Sequence, residues 1–304
     1  MTGHWGMIGA NLESCRAAWA IRESGRGRIA LVCADPAGWG RELLALTAAR
    51  PVAHPSAILA DPSISAVIID GTTADAAALA AQCADAGKSV VFTLPVRFGE
   101  AEAAQLDAQA AAQGCSITAL IPSAFVPEWG QLKGWLASKD PATVGTVRFG
   151  RLEQTVESAS TEDGLSGAEA VLADLIGAAE TCVGALQRLR VVPAPTAAGR
   201  EYLLAAGKFE SGALVHLEAG LTESPGSQYF YFEVACANGL TEFDSRIERE
   251  YVLSSDTDAS PLCSAYARIE DAYARALQAA ASGNSPAGLL PTAARVSAMA
   301  ASRS

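Results

Sequence analysis

Short apolar runs alternate with helical stretches over the first 121 residues, and this alternation limits the fold more than any other feature of the sequence. Apolar, β-branched segments predict strands at residues 5–8, 29–33, 66–69, 89–92 and 116–121. The segments between them predict helices at residues 15–23, 40–49, 74–86 and 100–113. Strands separated by helices of about ten residues or more form right-handed crossovers within a parallel sheet. The pattern therefore predicts an α/β fold whose residues 1–121 form a Rossmann-like domain with a doubly wound parallel sheet.

The rhythm changes after residue 121, where extended runs follow one another without long helices between them. Helices are predicted at residues 131–137, 167–186, 262–281 and 291–300. Strands are predicted at residues 146–152, 189–192, 201–207, 213–219, 229–237 and 249–253. Successive strands without crossover helices pair antiparallel or form a mixed sheet. Residues 122–304 are therefore predicted to form an α+β domain with an open mixed or antiparallel sheet.

Composition excludes several classes of partner. The formal net charge is -11 and the 22 Lys and Arg residues are scattered, whereas nucleic-acid binding requires a clustered basic surface. Because no apolar run reaches the roughly 20 residues of a membrane span, we expect no membrane partner. The seven cysteines contain no Cys-x-x-Cys pair and the three histidines are isolated. This indicates reduced thiols in a cytoplasmic protein and no metal site.

The turn between the first predicted strand and helix has the position of a dinucleotide fingerprint but only part of its sequence. In such a fingerprint the first glycine makes the turn, the second lets the backbone approach the pyrophosphate, and the third lets helix and strand pack closely. Gly9, Asn11 and Ser14 occupy these three positions, and Glu13 adds a negative charge that faces any bound anion. The Asn11 side chain takes up space where a pyrophosphate would lie. Cofactor binding and a plain turn without a ligand both remain open.

Asp35 follows the second predicted strand. An acidic side chain there can accept both ribose hydroxyls of a dinucleotide and repels a 2′-phosphate. If a nicotinamide cofactor binds, NAD is therefore favoured over NADP. The alternative is that Asp35 and Pro36 only start a turn, because both residue types are typical of turns.

Two segments carry a resemblance to a known family. Residues 61–69 begin with Asp-Pro and continue into a buried apolar run, and residues 84–95 contain Ala-Gly-Lys, a strand and a proline. Together with the turn at Gly9 and the run at 144–147, they are similar to the glucose–fructose oxidoreductase/inositol dehydrogenase/MocA family over most of the chain. The resemblance implies a two-domain, NAD(P)-dependent oxidoreductase that binds a small molecule. It also implies a homo-oligomer, or a pairing with an active relative, through the second sheet.

The same resemblance implies a set of cofactor contacts after the first strands. They fall on Ile8, Gly9, Asn11, Leu12, Asp35, Gly71, Thr72 and Pro95.

The departures from the family pattern concern its catalytic side chains. The lysine that precedes the family proline is replaced by Leu94, and the catalytic histidine of the second domain corresponds to Ala178. Asp174 survives from the same helical motif, and Thr181 stands where a second aspartate is expected. Since hydride transfer at an alcohol carbon needs a proton donor or acceptor near the oxygen, we name Asp174 and Glu180 as candidate substitutes.

Three functions are consistent with these residues. The first is a degenerate family member, either a noncatalytic subunit or a ligand-sensing protein, with NAD or no cofactor. The second is an active NAD(P)-dependent oxidoreductase on a sugar, polyol or small carbonyl compound, with relocated catalytic groups. The third is a lyase-like or hydrolase-like relative in which a bound nucleotide assists. The combined loss at Asn11, Leu94 and Ala178 favours the first.

Overall fold

The computed structural model describes residues 3–25, 27–137, 144–154, 167–194, 202–222, 229–237, 239–244, 251–255, 259–262, 269–283 and 289–301. The chain divides into two compact units. The first contains Met1–Pro122 together with Ile269–Ala298, and the second contains Ser123–Arg268 together with Met299–Ser304.

The first unit is built on a six-stranded sheet in which all the paired strands are parallel. Its strands are β1 (Gly3–Ile8), β2 (Gly27–Cys33), β3 (Arg50–Pro51), β4 (Ile64–Asp70), β5 (Ser89–Thr93) and β6 (Ile117–Ala119). They lie in the order β3-β2-β1-β4-β5-β6. The strand order reverses direction between β1 and β4, which is where open α/β sheets bind their ligands. The predicted parallel, doubly wound sheet is confirmed.

The helices between these strands begin and end at local signals. They are α1 (Leu12–Ser24), α2 (Gly38–Thr47), α3 (Ser56–Leu59), α4 (Ala76–Asp85) and α5 (Glu100–Gln113). Gly25 and Gly114 follow α1 and α5 with φ values of 62° and 68°, the left-handed conformation that ends many helices and that glycine adopts without strain. The short β3 and α3 lack a repeated apolar pattern and were not predicted.

Two helices near the end of the chain, α8 (Ile269–Ala281) and α9 (Leu289–Ala301), return to the first unit over residues 269–298. The contacts therefore group these helices with the first unit, whereas the prediction places all of residues 122–304 in the second domain. The reason is long-range packing: α8 lies against α1, and the Tyr273 hydroxyl donates a hydrogen bond to Glu13. Ser297 also accepts a hydrogen bond from the backbone N–H of Val96 at 3.2 Å.

The second unit is built on an eight-stranded mixed sheet. Its strands are β7 (Val144–Gln154), β8 (Leu186–Pro193), β9 (Tyr202–Phe209), β10 (Leu214–Thr222), β11 (Tyr229–Cys236), β12 (Gly239–Asp244), β13 (Tyr251–Ser255) and β14 (Ala259–Leu262). They lie in the order β14-β13-β12-β11-β7-β10-β9-β8. Only the β7–β10 pair is parallel among the strand pairs of this sheet that the structure describes. The predicted open mixed sheet is confirmed.

Two helices and a short turn complete this unit: a 3₁₀ turn at Pro122–Phe125, α6 (Pro127–Ala137) and α7 (Gly167–Val183). Helix α7 packs on β10, and its residues 168–179 are buried. The helix predicted to reach residue 186 ends at Val183, because Gly184 has a φ of 105° and Leu186 already begins β8. Similarly, Leu262 ends β14 and does not start the following helix.

Candidate functional site

The carboxyl ends of the parallel strands bring the predicted contact residues to one edge of the first sheet. Ile8 ends β1, Leu12 begins α1, and Asp35 follows β2. Gly71 and Thr72 follow β4, and Pro95 follows β5 by two residues. In open parallel sheets, ligands bind at this edge.

Gly9 makes a tight turn that no other residue type fits. Its φ is 79°, and a Cβ there would lie 2.5 Å from the Cβ of Asp70 and 2.7 Å from the Thr73 hydroxyl oxygen. Its N–H donates to the carbonyl oxygen of Cys33 at 2.8 Å, which ties the turn to the end of β2. Gly9 thus has the conformation and the close backbone approach that the first glycine of a dinucleotide turn requires.

The Asn11 side chain is folded back onto the protein. Its Oδ1 accepts a hydrogen bond from the Ser14 N–H at 2.8 Å and another from the Ser14 hydroxyl at 3.0 Å, so Asn11 caps the start of α1. Its Nδ2 donates to Asp70 Oδ1 at 2.8 Å and lies 3.3 Å from the Thr93 hydroxyl. Asp70 Oδ1 also accepts from the Thr72 N–H at 2.9 Å and the Thr72 hydroxyl at 2.8 Å. We call Asn11, Ser14, Asp70, Thr72 and Thr93 the Asn11 network.

The Asn11 network places a buried carboxylate at the candidate site. Asp70 is 5% exposed and Thr93 is fully buried, and the network satisfies their polar atoms within the protein. Asp70 and Thr93 were not predicted as site residues. The signal that could have found them is a polar residue that ends each of two apolar strands, Ile64–Asp70 and Ser89–Thr93.

The Glu13 carboxylate is paired with groups of the protein itself, whereas the sequence predicted that it would face a bound anion. Its Oε1 lies 2.7 Å from Nη1 of Arg16, and its Oε2 accepts the hydrogen bond from the Tyr273 hydroxyl. Only 13% of the Glu13 side chain is exposed. Arg16 therefore offsets this carboxylate, and Tyr273 fixes its direction.

Asp35 is exposed and starts a turn. Its Oδ1 accepts a hydrogen bond from the Ala37 N–H at 2.9 Å, the side-chain-to-backbone bond of an Asx turn. A Cβ at Gly40 would collide with the carbonyl oxygen of Asp35, so the chain needs glycine there to close the turn into α2. We call Asp35–Ala37 the Asp35 turn. Asp35 therefore starts a turn, as one of the two interpretations predicted, and its carboxylate remains exposed.

The position of the family lysine is an apolar core position. Leu94 is 3% exposed, and it is joined to Pro95 by a cis peptide bond. The loop after β4 lies in close contact with this segment, since a Cβ added at Gly71 would collide with the carbonyl oxygen of Thr93. The Gly71 carbonyl accepts a hydrogen bond from the Arg97 N–H at 3.0 Å. Leu94 can supply neither a charge nor a hydrogen bond.

The candidate substitutes for catalysis lie on α7 of the second unit, where they bond to the backbone. Asp174 is 3% exposed, and its carboxylate accepts hydrogen bonds from the Ser123 N–H at 3.1 Å and the Ser123 hydroxyl. Glu180 Oε1 accepts from the Leu186 N–H at 2.6 Å and closes the turn from α7 into β8. Ala178 is fully buried, and its carbonyl oxygen accepts from the Trp129 indole at 2.7 Å. These positions hold the unit together.

Three buried thiols, those of Cys15, Cys83 and Cys182, are poor nucleophiles. Burial, together with the nearby carboxylates of Glu42 and Glu13, raises the pKa of the Cys15 thiol to about 12. Burial likewise raises the pKa of Cys83 and of Cys182 to about 12. Since the thiolate is the reactive form, these cysteines have the properties of core residues.

Two further features were sought over the part of the chain that the structure describes. No helix there has both the length and the apolar character needed to cross a membrane. No group of three or more His, Cys, Asp or Glu side chains there could hold a metal ion.

Comparison with known proteins gives structural matches only. No family model matches the sequence, and no match was found among curated proteins. The chain is similar to biliverdin reductase from Synechocystis, solved with biliverdin and NADP+, at 15% identity and a TM-score of 0.69, over 98% of this chain and 96% of that one. It is similar to an oxidoreductase domain protein from Kribbella flavida at 17% identity and a TM-score of 0.74, over 99% and 96%.

A third similar structure is levoglucosan dehydrogenase, solved with NADH and levoglucosan, at 15% identity and a TM-score of 0.73 over 99% of this chain and 96% of that one. At these identities the likeness concerns the fold. This chain shares its fold with these oxidoreductase structures.

Proposed function

We propose that this chain is a ligand-sensing protein or a noncatalytic subunit that keeps the scaffold of the NAD(P)-binding oxidoreductases without their hydride-transfer chemistry. The observation that carries the proposal is Leu94, which occupies the family lysine position and is 3% exposed. A buried aliphatic side chain there can neither transfer a proton nor orient a nicotinamide by hydrogen bonding.

The carboxylates of the second unit support the proposal. A general acid or base must reach the proton that it transfers. Asp174 instead accepts hydrogen bonds from Ser123, and Glu180 accepts one from the N–H of Leu186. Both carboxylates satisfy neighbouring groups of their own unit, so recruiting either would leave a donor of the fold without its partner.

The residues of the first unit fit one part of a dinucleotide and not another. Asp35 is exposed at the end of β2, so it would accept ribose hydroxyls and oppose a 2′-phosphate, which favours NAD over NADP. The Asn11 network does not fit a diphosphate, because Asn11 already takes the Ser14 N–H and lies against the Asp70 carboxylate. We therefore propose weak binding of NAD, and no step of a reaction is assigned to it.

Titration with NADH and NADPH, followed by fluorescence and by calorimetry, tests this proposal together with a turnover assay. The assay supplies NAD or NADP with sugars and polyols. We expect dissociation constants for NADH well above the micromolar range, a preference for NADH over NADPH that Asp35→Ala removes, and no turnover. Micromolar binding accompanied by turnover would overturn the proposal.

The second unit carries an exposed apolar face that supports the predicted assembly. Val192 and Leu204 are paired directly across β8 and β9 and are 46% and 41% exposed. Leu214, on the same face of β10, is 48% exposed. Because adjacent exposed apolar side chains mark interaction surfaces, we propose that a second copy or an active relative covers this face. Light scattering should show a dimer or larger assembly that Leu204→Glu weakens, with Lys208→Gln, which changes the net charge by the same one unit, as the control on the same strand.

A further inference from the structure

We propose that Asp70 is a specificity-determining residue of the first unit, and that it disfavours ligands with a diphosphate relative to ligands that present adenosine alone. The inference rests on the proposed function in one respect, since it concerns the same binding edge.

The Asp70 carboxylate is fixed in place at the end of β4. One oxygen, Oδ1, accepts hydrogen bonds from Asn11 Nδ2, the Thr72 N–H and the Thr72 hydroxyl, at distances of 2.8–2.9 Å. Only 5% of the residue is exposed. A carboxylate that is held by three donors and shielded from solvent cannot turn away from an incoming anion.

The same carboxylate lies against the dinucleotide turn. The Cβ of Asp70 would be 2.5 Å from a Cβ at Gly9, and Asn11 joins Asp70 to the start of α1 through its own amide group. In dinucleotide-binding domains, the diphosphate sits at the start of this helix, next to the second position of the glycine pattern. Asn11 holds that second position, so a diphosphate there is separated from the carboxylate by about one amide side chain.

Two like charges at that separation repel strongly where little water screens them. The nearest basic side chain of α1, Arg16, is paired with Glu13. Lys88 is held at the opposite end of β4 by the carbonyl oxygens of Asp61 and Ile64, each at 2.7 Å. The Asp35 turn lies beyond β2 and would contact the ribose of a bound adenosine, so adenosine binding should not depend on Asp70.

The test measures binding of adenosine, ADP and NADH by calorimetry to the full chain and to Asp70→Asn. The amide of asparagine can keep an acceptor for Asn11 and Thr72 while the charge is removed. Asp61→Asn is the matched control, because Asp61 Oδ1 also accepts from an N–H and a hydroxyl two residues ahead, those of Ser63, at the opposite edge of the sheet. Both variants change the net charge equally. Asp70→Ser, which is smaller, provides a second way to remove the charge, and thermal unfolding confirms that each variant is folded.

We expect Asp70→Asn and Asp70→Ser to bind ADP and NADH at least about tenfold more tightly than the unaltered chain. Adenosine affinity should stay within about twofold, and Asp61→Asn should change neither. Asn11→Gly, which opens space for a diphosphate but keeps the carboxylate, should give a smaller gain than Asp70→Asn. If folded Asp70 variants bind ADP no better, or if adenosine tightens as much as ADP, the proposal is overturned. Turnover or micromolar NADH binding by the unaltered chain would contradict the proposed function instead, and the Asp70 comparison would still be decided.

Discussion

Two turns at the same edge of the first sheet use an aspartate in opposite ways. In the Asp35 turn the carboxylate is exposed and accepts a single hydrogen bond from the backbone two residues ahead. In the Asn11 network the Asp70 carboxylate is buried and accepts three, one of them from a residue 59 positions away in the chain. The Asp35 carboxylate is therefore accessible to a ligand, whereas the Asp70 carboxylate is held by hydrogen bonds within the protein.

The proposed function uses this difference, because a ribose would be accepted at the Asp35 turn and a diphosphate opposed at the Asn11 network. Loops at the end of a parallel sheet are separate segments carried by a rigid scaffold, so each can change without altering the strands beneath. Here the β2 end keeps the acidic residue suited to a ribose. The β1, β4 and β5 ends are occupied by the chain's own side chains, and Leu94, after β5, is also buried.

Leu94→Lys should have the largest effect of any single change at this edge. An ammonium group at a position that is 3% exposed is taken out of water, and we expect a loss of more than about 4 kcal/mol in the free energy of unfolding. Urea denaturation measures it. Leu94→Met, which conserves volume, should cost less than about 1.5 kcal/mol. A stable Leu94→Lys protein with dehydrogenase turnover would mean that the β5 end is open and that the other losses matter little.

Asp70→Ala and Asp35→Ala compare how much each aspartate contributes to the free energy of unfolding. The first removes the acceptor of three hydrogen bonds and leaves buried donors on Asn11 and Thr72, so we expect a loss of about 3 kcal/mol. The second removes one exposed bond and should cost about 0.5 kcal/mol or less. Chemical denaturation of both variants in parallel gives the difference. Equal losses would show that the Asn11 network does not stabilise the fold more than an ordinary turn.

Gly9→Ala tests how tightly the turn is held against Asp70. Alanine there would combine an unfavourable φ of 79° with contacts of 2.5 Å and 2.7 Å to Asp70 and Thr73. We expect a loss of about 2 kcal/mol. Gly87→Ala is the control, since Gly87 has a φ of 69° with no atom within 4 Å, and should cost about 1 kcal/mol from strain alone. Thermal unfolding of both separates strain from crowding, and identical costs would argue against the close approach.

The strand–helix alternation of the first 121 residues was sufficient to predict the parallel sheet. Strands β2, β4 and β5 are short apolar runs with β-branched residues, and the alanine-rich helices α4 and α5 are followed by Gly87 and Gly114. These signals are local. The return of α8 to the first unit depends on a contact between Glu13 and Tyr273, which are 260 residues apart, and no local pattern encodes it.

The candidate site could be predicted only in part for the same reason. Gly9 and Asp35 were identified because their roles follow from their place after a strand. The role of Asn11 depends on Asp70 and Thr93, which lie 59 and 82 residues further along the chain. The sequence does not show that the Asn11 side chain caps α1 and donates a hydrogen bond to a buried carboxylate.

The reactivities of two cysteines, one beside each turn, test whether the two turns differ in accessibility. Cys15 lies on α1 next to the Asn11 network, where burial and then Glu42 and Glu13 raise the pKa of its thiol to about 12. Cys33 ends β2 just before the Asp35 turn, and burial alone raises the pKa of its thiol. Because the Cys15 pKa is about 12 and not the ordinary 9.0, its thiolate fraction below pH 9 is about a thousandfold lower.

We expect iodoacetamide at pH 8, with the products located by peptide mass spectrometry, to modify Cys33 at least about a hundredfold faster than Cys15. Adenosine should protect Cys33 if it binds beside the Asp35 turn. The Cys15 rate should rise about tenfold per pH unit up to pH 12. Since the unfolded thiol ionises near pH 9.0 and the folded one near 12, its contribution to stability is full below pH 9 and is lost as the pH rises towards 12. Equal rates at the two cysteines would mean that the start of α1 is as accessible as the end of β2, and the contrast between the two turns would not hold.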